Sequence, residues 1–524
     1  MITFGVVADS RVQRAGSGMR NRRVNRWSVL VLLCFSLLLI AVDATVLHIA
    51  VPALTAALEP TSVELLWIID VYSLVVAPLL ITFGTLGDRY GRRRLVLAGY
   101  AVFGVASACA AAAGTPGLLI AARAALGVGG AMIMPATLSI IREVFTDRRE
   151  RAFALGVWSA VAAGGAAVGP LVGGLLVEHA WWGAVFLINV PILLVLLPAA
   201  ARLLPESRGG GQQGHGWDAP SAALSVLGIL ALAFGLKETG SGELLGPLPG
   251  LAIFLCGVGL LVWFVRRQRR LAYPLLDVEL FRRRGFSTGV AAVLLAVFAL
   301  VGLELMLAQY LQLVLGESPL GAAVRMLPLM IAAIAGGLAA AHLLRRLGLR
   351  ATMGGGLALT ALSLAPTLAW GTENHPVLLA LCFAGIGFGV EVALLAASDT
   401  IMASAPESRA GGAAAIEETA YELGAGLGIA VLGTVTTVVY APGVRSVDGV
   451  PSAATEQARQ SLAAAAHVAE EIGGMAGHVL LRTAREAFVG ALHSTVLVSI
   501  ALLGLTAVAT AVLVPRRPPD DDPS

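Results

Sequence analysis

The chain has 524 residues, 57% of them hydrophobic and 13% charged, with 61 glycines and a formal net charge of +3. That balance suits a protein whose main solvent is hydrocarbon and excludes a soluble globule of this size. A net charge so near zero calls for no nucleic-acid partner.

A helix needs roughly 20 mostly apolar residues to cross the bilayer core. Fourteen stretches meet that rule: 27–50, 64–87, 94–113, 117–137, 152–177, 183–203, 220–236, 246–265, 286–313, 323–344, 351–370, 376–398, 411–440 and 488–514. The expected class is an all-α integral membrane protein. The first span lacks the cleavage pattern of a signal peptide and is expected to stay as an anchor. Cytoplasmic loops retain arginine and lysine, and most of the basic residues fall on one side. They include Arg20, Arg22, Arg23 and Arg26 in the tail, Arg89 to Arg94, Arg148 to Arg151, Arg266 to Arg270, Arg282 to Arg284, Arg345 to Arg350, and Arg516 with Arg517. Both termini are therefore expected in the cytoplasm. Lys237, the single lysine, reads as the one basic residue of a short outer loop. The four cysteines fall inside spans, so no disulfide framework is expected.

The order of elements suggests a basic tail (1–26), a six-helix bundle (27–203), a cytoplasmic linker (204–219), two inserted spans (220–265), a basic loop (266–285), and a second six-helix bundle (286–514) before a short tail (515–524). The linker centres on the glycine-rich Glu206-Ser-Arg-Gly-Gly-Gly-Gln-Gln-Gly-His-Gly216. A weak echo between Asp88-Arg-Tyr-Gly-Arg-Arg-Arg94 and Arg345-Arg-Leu-Gly-Leu-Arg350 sits at matching places in the two bundles, as repeat-built transporters show. Residues 441–487 form a long outer segment expected to hold one or two helices at the membrane face, as a spacer or cap.

An ionised carboxylate in hydrocarbon costs several kcal/mol unless paired or neutralised, so intramembrane acids mark function. Asp43, Asp70, Glu304, Glu391, Glu417, Glu418 and Glu422 are the informative ones. Asp43 lies about sixteen residues into the first span, roughly 24 Å from its cytoplasmic end. Asp70 stands beside Trp67 and Tyr72, and an acid with aromatic rings binds a quaternary ammonium by charge and cation–π attraction. Glu418 and Glu422 share a helix face from which Glu417 is rotated by about 100°. Arg123 is the one clearly intramembrane arginine, and a guanidinium that keeps its charge needs carboxylate or backbone partners. In Gly165-x-x-x-Gly169-Pro170-x-x-Gly173-Gly174 the glycines permit close helix contact and Pro170 removes a backbone donor. No metal motif, no nucleophile with a base and no phosphate loop stands out, so neither an enzyme, an ATP-driven pump nor a bound cofactor is expected.

Several of these motifs resemble the major facilitator superfamily. Gly84-Thr-Leu-Gly-Asp-Arg-Tyr-Gly-Arg-Arg-Arg-Leu95 resembles its signature between spans two and three, where Asp88 and the arginines Arg89, Arg92 and Arg93, set by Gly84 and Gly91, form a cytoplasmic charge latch. The 165–174 segment resembles the antiporter signature of span five, and Val42-Asp-Ala-Thr-Val-Leu-His-Ile-Ala-Val-Pro52 the first-span motif of fourteen-span drug:proton antiporters. Leu66-Trp-Ile-Ile-Asp-Val-Tyr-Ser-Leu74 and Glu417-Glu-Thr-Ala-Tyr-Glu-Leu-Gly424 are similar to the branch that exports quaternary ammonium compounds. The resemblance implies proton or substrate binding at Asp43, Asp70 and the Glu417 to Glu422 cluster. Two departures stand out: Trp182-Gly-Ala184 replaces the family's Trp-Arg-Trp, and span ten lacks the acid found in some dication exporters.

The expectation is a monomeric antiporter in a bacterial inner membrane, exchanging incoming protons for an outgoing lipophilic cation. Two alternatives are export of a neutral antibiotic or secondary metabolite made by the host, and a lipid flippase or scaffold without proton coupling.

Overall fold

The computed structural model describes residues 25–206, 218–241, 245–271, 274–406 and 410–514. Apart from Arg26, the arginines of both tails lie outside the described residues, as do most of the glycine-rich linker and the Asp88 side chain.

In chain order the helices are α1 (Arg26–Leu58), α2 (Ser62–Tyr90), α3 (Arg92–Ala111), α4 (Pro116–Val144), α5 (Arg148–His179), α6 (Ala184–Leu187), α7 (Asn189–Leu203), α8 (Ala219–Ser241) and α9 (Pro247–Gln268). After a short 3₁₀ turn come α10 (Arg284–Gln309), α11 (Pro319–Arg325), α12 (Leu327–Leu364), α13 (Pro376–Ser404), α14 (Ala410–Gly443), α15 (Ser452–Gln460), α16 (Leu462–Ile472) and α17 (Gly474–Leu513). Several of their N-terminal ends are closed by local side-chain caps. The Asn25 side chain caps α1 at Trp27 N, 3.0 Å. Thr61 and Glu64 exchange hydrogen bonds of 3.0 and 3.3 Å in a capping box that opens α2, and Thr115 and Ser318 cap the proline-led α4 and α11.

Thirteen helical stretches among the described residues are long and apolar enough to cross a membrane. The longest, Pro319–Ala369, is two of the expected spans joined end to end. Gly348, at φ 78° and ψ 167°, breaks the helix there, a backbone state glycine adopts without steric penalty. The fourteen spans are thus accounted for, with two changes of outline. The sixth opens with the short α6 before α7, and the last begins at Gly474, because α17 continues unbroken from the outer segment into the bilayer. That outer segment holds α15 and α16, packed on each other, with α16 also against α17.

Helices α1 to α7 form one half of the molecule, and α10 to α14 with α17 the other. The halves meet along α2 with α14, α1 with α10, and α5 with α11 and α12. The α8–α9 hairpin rests through α8 on both α2 and α14, and so covers one edge of the seam between halves. The hairpin is tight because a Cβ at Gly257 would stand 2.5 Å from Leu232 N, closer than atoms pack. Its ends are tied by Arg267 to Asp218 at 2.8 Å and by the Glu238 carboxylate, which accepts from Gly246 N at 2.8 Å.

Apart from a bond between Glu422 of α14 and Ser73 of α2 midway along the seam, the hydrogen bonds described between the halves lie toward the face opposite the arginine-rich one. Glu178 accepts from Ser318 Oγ at 2.8 Å and Leu320 N at 3.1 Å, Gln312 Nε2 donates to Ile49 O at 3.1 Å, and Ser62 N donates to Gln460 Oε1 at 3.3 Å. The seam is tied at that face.

Candidate functional site

Asp43 is fully buried halfway along α1. Arg123 Nη1 of α4 donates to its Oδ2 at 3.0 Å, and Asn189 Nδ2 of α7 donates to its Oδ1 at 2.7 Å. Asn189 also reaches Ser107 Oγ on α3 at 3.2 Å. The remaining donors of Arg123 go to backbone: Nε to Ile68 O at 3.1 Å and Nη2 to Ile69 O at 3.3 Å. Its guanidinium carbon lies 4.9 Å from the centre of the Tyr72 ring and 5.8 Å from that of Phe186. A buried ion pair is tolerated when the remaining donors and acceptors are satisfied, and both carboxylate oxygens are occupied here. Five helices of one half are thereby joined in one network around a single carboxylate.

Asp70 is also fully buried, but its partner was not foreseen. Lys237, read from the sequence as part of an outer loop, lies in helix α8 with essentially no exposure. Its Nζ stands 2.9 Å from Asp70 Oδ1 and 2.8 Å from Oδ2, and 3.8 Å from the centre of the Trp67 ring. The span expected at 220–236 stops one residue short of it, whereas the helix runs to Ser241. The acid and ring expected to receive a substrate ammonium thus already hold one. Tyr72 leaves that cluster: Trp67 and Asp70 face α8, while Tyr72, on another face of α2, lies against Arg123.

Of the acids of the second half, Glu304 and Glu422 lie at the seam. Glu304 of α10 is buried with its Oε2 3.9 Å from His48 Nδ1 of α1, and that ring nitrogen has no hydrogen-bond partner among the described residues. Glu422 is buried on α14 and bonds with Ser73 of α2. Glu418 lies beside it, whereas Glu417 bonds with Ser398 of α13 within its own half. The Tyr421 hydroxyl is within electrostatic reach of Glu304, Glu391, Glu418 and Glu422. The four-residue spacing of Glu418 and Glu422 does put both on the central side, with Glu417 turned off it. The glycines that follow explain how closely α14 packs. A Cβ at Gly424 would meet Leu294 O at 2.5 Å, and one at Gly426 would meet Leu74 Cδ2 at 2.8 Å.

The glycine segment of α5 packs on α1 alongside Asp43. A Cβ at Gly165 would stand 2.8 Å from Ala41 Cβ, and one at Gly173 2.7 Å from Val46 O. At Gly169 it would collide with Thr45 Oγ1, which instead donates to Ala166 O at 3.1 Å. Pro170 is buried inside the helix. Gly174 meets the other half, with Pro319 O 2.9 Å from its notional Cβ.

In the loop after α2, Gly91 sits at φ 109° and closes the helix, with Glu206 filling the space a side chain would need. Arg92 bonds Glu143 of α4 at 3.1 Å, Arg93 donates to Ala201 O of α7, and Arg89 lies over the Tyr90 ring at 5.3 Å. Gly84 approaches Pro135 of α4. These contacts tie the loop to its own half.

Lys237, Asn189 and His48 are the site residues that sequence reasoning missed. Lys237 carried a signal in being the single lysine and adjoining an apolar run; His48 stands inside the Val42 to Pro52 motif, and Asn189 carried no signal beyond being polar within a span.

Comparison with known proteins agrees with this architecture. The methyl viologen resistance protein SmvA of Salmonella typhimurium is 42% identical over 488 residues, covering 90% of this chain and 95% of its own length. The multidrug efflux pump LfrA of Mycolicibacterium smegmatis is 40% identical over 491 residues, covering 94% and 96%. Among solved structures, a bacterial homologue of the human lysosomal transporter Spinster, in an inward-facing and unoccupied conformation, superposes with a TM-score of 0.65 at 18% identity, over 92% of this chain and 97% of that one. The family described as Major Facilitator Superfamily matches residues 33–429. This multi-pass membrane protein therefore belongs to the Major Facilitator Superfamily of transporters.

Proposed function

We propose that the protein is an antiporter that exports lipophilic cationic drugs in exchange for protons, by alternating access. The observation that carries this reading is the set of buried acids at and beside the seam between the halves. Glu304 and Glu422 have partners in the opposite half, His48 and Ser73, so rocking of the halves changes the surroundings of each. A carboxylate that is paired in one arrangement and free in the other exchanges protons as it moves, and a cation competing for the same charge couples the two fluxes. Asp43 and Arg123 set the local field beside these acids, with a guanidinium that keeps its charge throughout.

The names of the relatives support this reading: multidrug efflux pump speaks for drug export, and methyl viologen resistance protein for a cationic compound. Methyl viologen is a dication, so divalent substrates belong among those tried, although span ten carries no acid. With the arginine-rich face in the cytoplasm of a bacterial cell, the tied seam at the opposite face is a state closed to the outside. The protein would work as a monomer, with protons and small cations as its partners in the bilayer.

The test is ethidium and methyl viologen transport in proteoliposomes with and without an imposed pH gradient, for the wild type and a correctly folded Glu422→Gln variant. Gradient-dependent transport lost in the variant is the expected result. Transport that ignores the gradient overturns the proton coupling, and absence of transport of either cation by correctly inserted protein overturns the cation reading.

A further inference from the structure

Lys237 is the only lysine in the chain, and it is buried among groups that suit a bound cation. Its ammonium touches both oxygens of Asp70 and lies 3.8 Å from the centre of the Trp67 ring, the geometry in which a carboxylate and an aromatic face hold a ligand ammonium. Phe234, one turn earlier on α8, adds a second ring, its centroid 6.2 Å from that of Trp67. Asp70 Oδ2 has no hydrogen bond beyond this ionic contact among the described residues, unlike the doubly bonded carboxylate of Asp43.

The surroundings favour exchange. The space beside Lys237 is lined by Ser62, Leu66 and Thr437, and the same three residues line the larger, mostly apolar cavity between the halves that reaches Met306, Tyr440 and Phe488. At about 50 Å³ the cavity is too small for a drug-sized cation as it stands, but its widening as the halves part would bring an apolar body next to the charge held by Lys237. The side chain that fills the site comes from the inserted hairpin, which meets both α2 and α14 and so touches both moving halves. A flexible four-carbon stem with a compact charge is the one cationic side chain suited to entering and leaving such a site.

We infer that Lys237 is a tethered stand-in for the transported cation: it occupies the Asp70 and Trp67 site when no substrate is present, and an organic cation takes that site by displacing it. The inserted hairpin thereby keeps a buried carboxylate from standing uncompensated between cycles, a condition that is costly in a low-dielectric interior. It also sets specificity, because a substrate must outcompete an ammonium already in place, which neutral molecules do not do.

This inference rests on the cation-export reading, and the experiment separates the two. The protein in detergent or proteoliposomes is treated with a membrane-permeant amine-acylating reagent, and modification of Lys237 is read by mass spectrometry, uniquely so because the other amine is the chain terminus. Ethidium is added to saturation, with binding followed by its fluorescence. Lys237 is expected to be protected without ethidium and to be acylated at least about tenfold faster with it. Ethidium binding that leaves Lys237 protected overturns the displacement and leaves cation export standing. Failure of both ethidium and methyl viologen to bind overturns both. In Lys237→Met the tethered competitor is gone, and the ethidium dissociation constant is expected to fall about tenfold, corresponding to 1.4 kcal/mol. An unchanged or weaker affinity in folded Lys237→Met also overturns the displacement.

Discussion

Asp43 and Asp70 are both buried acids paired with a base in the same half of the molecule or across its edge, yet the two sites are built differently. Asp43 has each oxygen hydrogen-bonded, to Arg123 and Asn189, and Arg123 spends its other donors on the α2 backbone. Asp70 has one ionic partner among the described residues, supplied by an inserted helix, and an aromatic ring shared with it. The first arrangement fixes charges that five helices must respect; the second holds a charge in a way that allows it to be replaced. The comparison teaches that an intramembrane ion pair is to be judged by what else its members bond, because an arginine cannot discharge and a saturated carboxylate has no valence to offer a ligand.

The contrast is open to direct attack. The largest effect is expected for Asp43→Asn, which leaves Arg123 charged and unpaired in a dry site; breaking such a pair costs about 3–5 kcal/mol. Thermal unfolding in detergent should show it, and stability near that of the wild type would mean that the network is wet or dispensable. Lys237→Met should destabilise less, since an abandoned carboxylate can take up a proton where a guanidinium cannot lose one. The double variant Asp70→Asn with Lys237→Met should recover to within about 1 kcal/mol of the wild type, because replacing a whole buried pair is often neutral. Equal losses in the single and double variants would remove the distinction between the two sites.

Gly173→Val tests how α5 holds α1 beside Asp43. The notional Cβ lies 2.7 Å from Val46 O, a backbone atom with little room to yield, so a loss of about 1–3 kcal/mol is expected from overpacking. The same substitution at Gly164, whose notional Cβ meets nothing within 4 Å, should be tolerated and serves as the control. The smallest effect belongs to the seam. Gln312→Ala removes one hydrogen bond to Ile49 O, worth about 0.5–1.5 kcal/mol, and should raise the share of molecules open at that face. Spin-label distances across α1 and α11 would measure the shift, and an unchanged distribution would show that the bond does not hold the seam.

Much of the fold was legible in sequence because hydrocarbon imposes a simple rule. A chain that crosses it must hydrogen-bond its own backbone, so apolar runs of sufficient length become helices with little ambiguity. The capping signals at Asn25, Thr61 and Thr115, the glycine break at Gly348 and the glycine face of α5 are all local in sequence. The assignment of Lys237 to a loop failed because a single charge near the end of a span reads the same whether it snorkels to water or turns inward to an acid.

The acids were legible as well, since carboxylates within spans announce themselves by cost. Their partners were not. Asp43 and Arg123 are 80 positions apart, Asp70 and Lys237 are 167 apart, and His48 meets Glu304 only because α1 and α10 face each other across the seam. Sequence determined the membrane class, the helices, the family resemblance and which buried charges need an answer. Tertiary structure alone decided which group answers each of them, because in a medium that cannot solvate charge the partner is whichever side chain the packing of distant helices brings within reach.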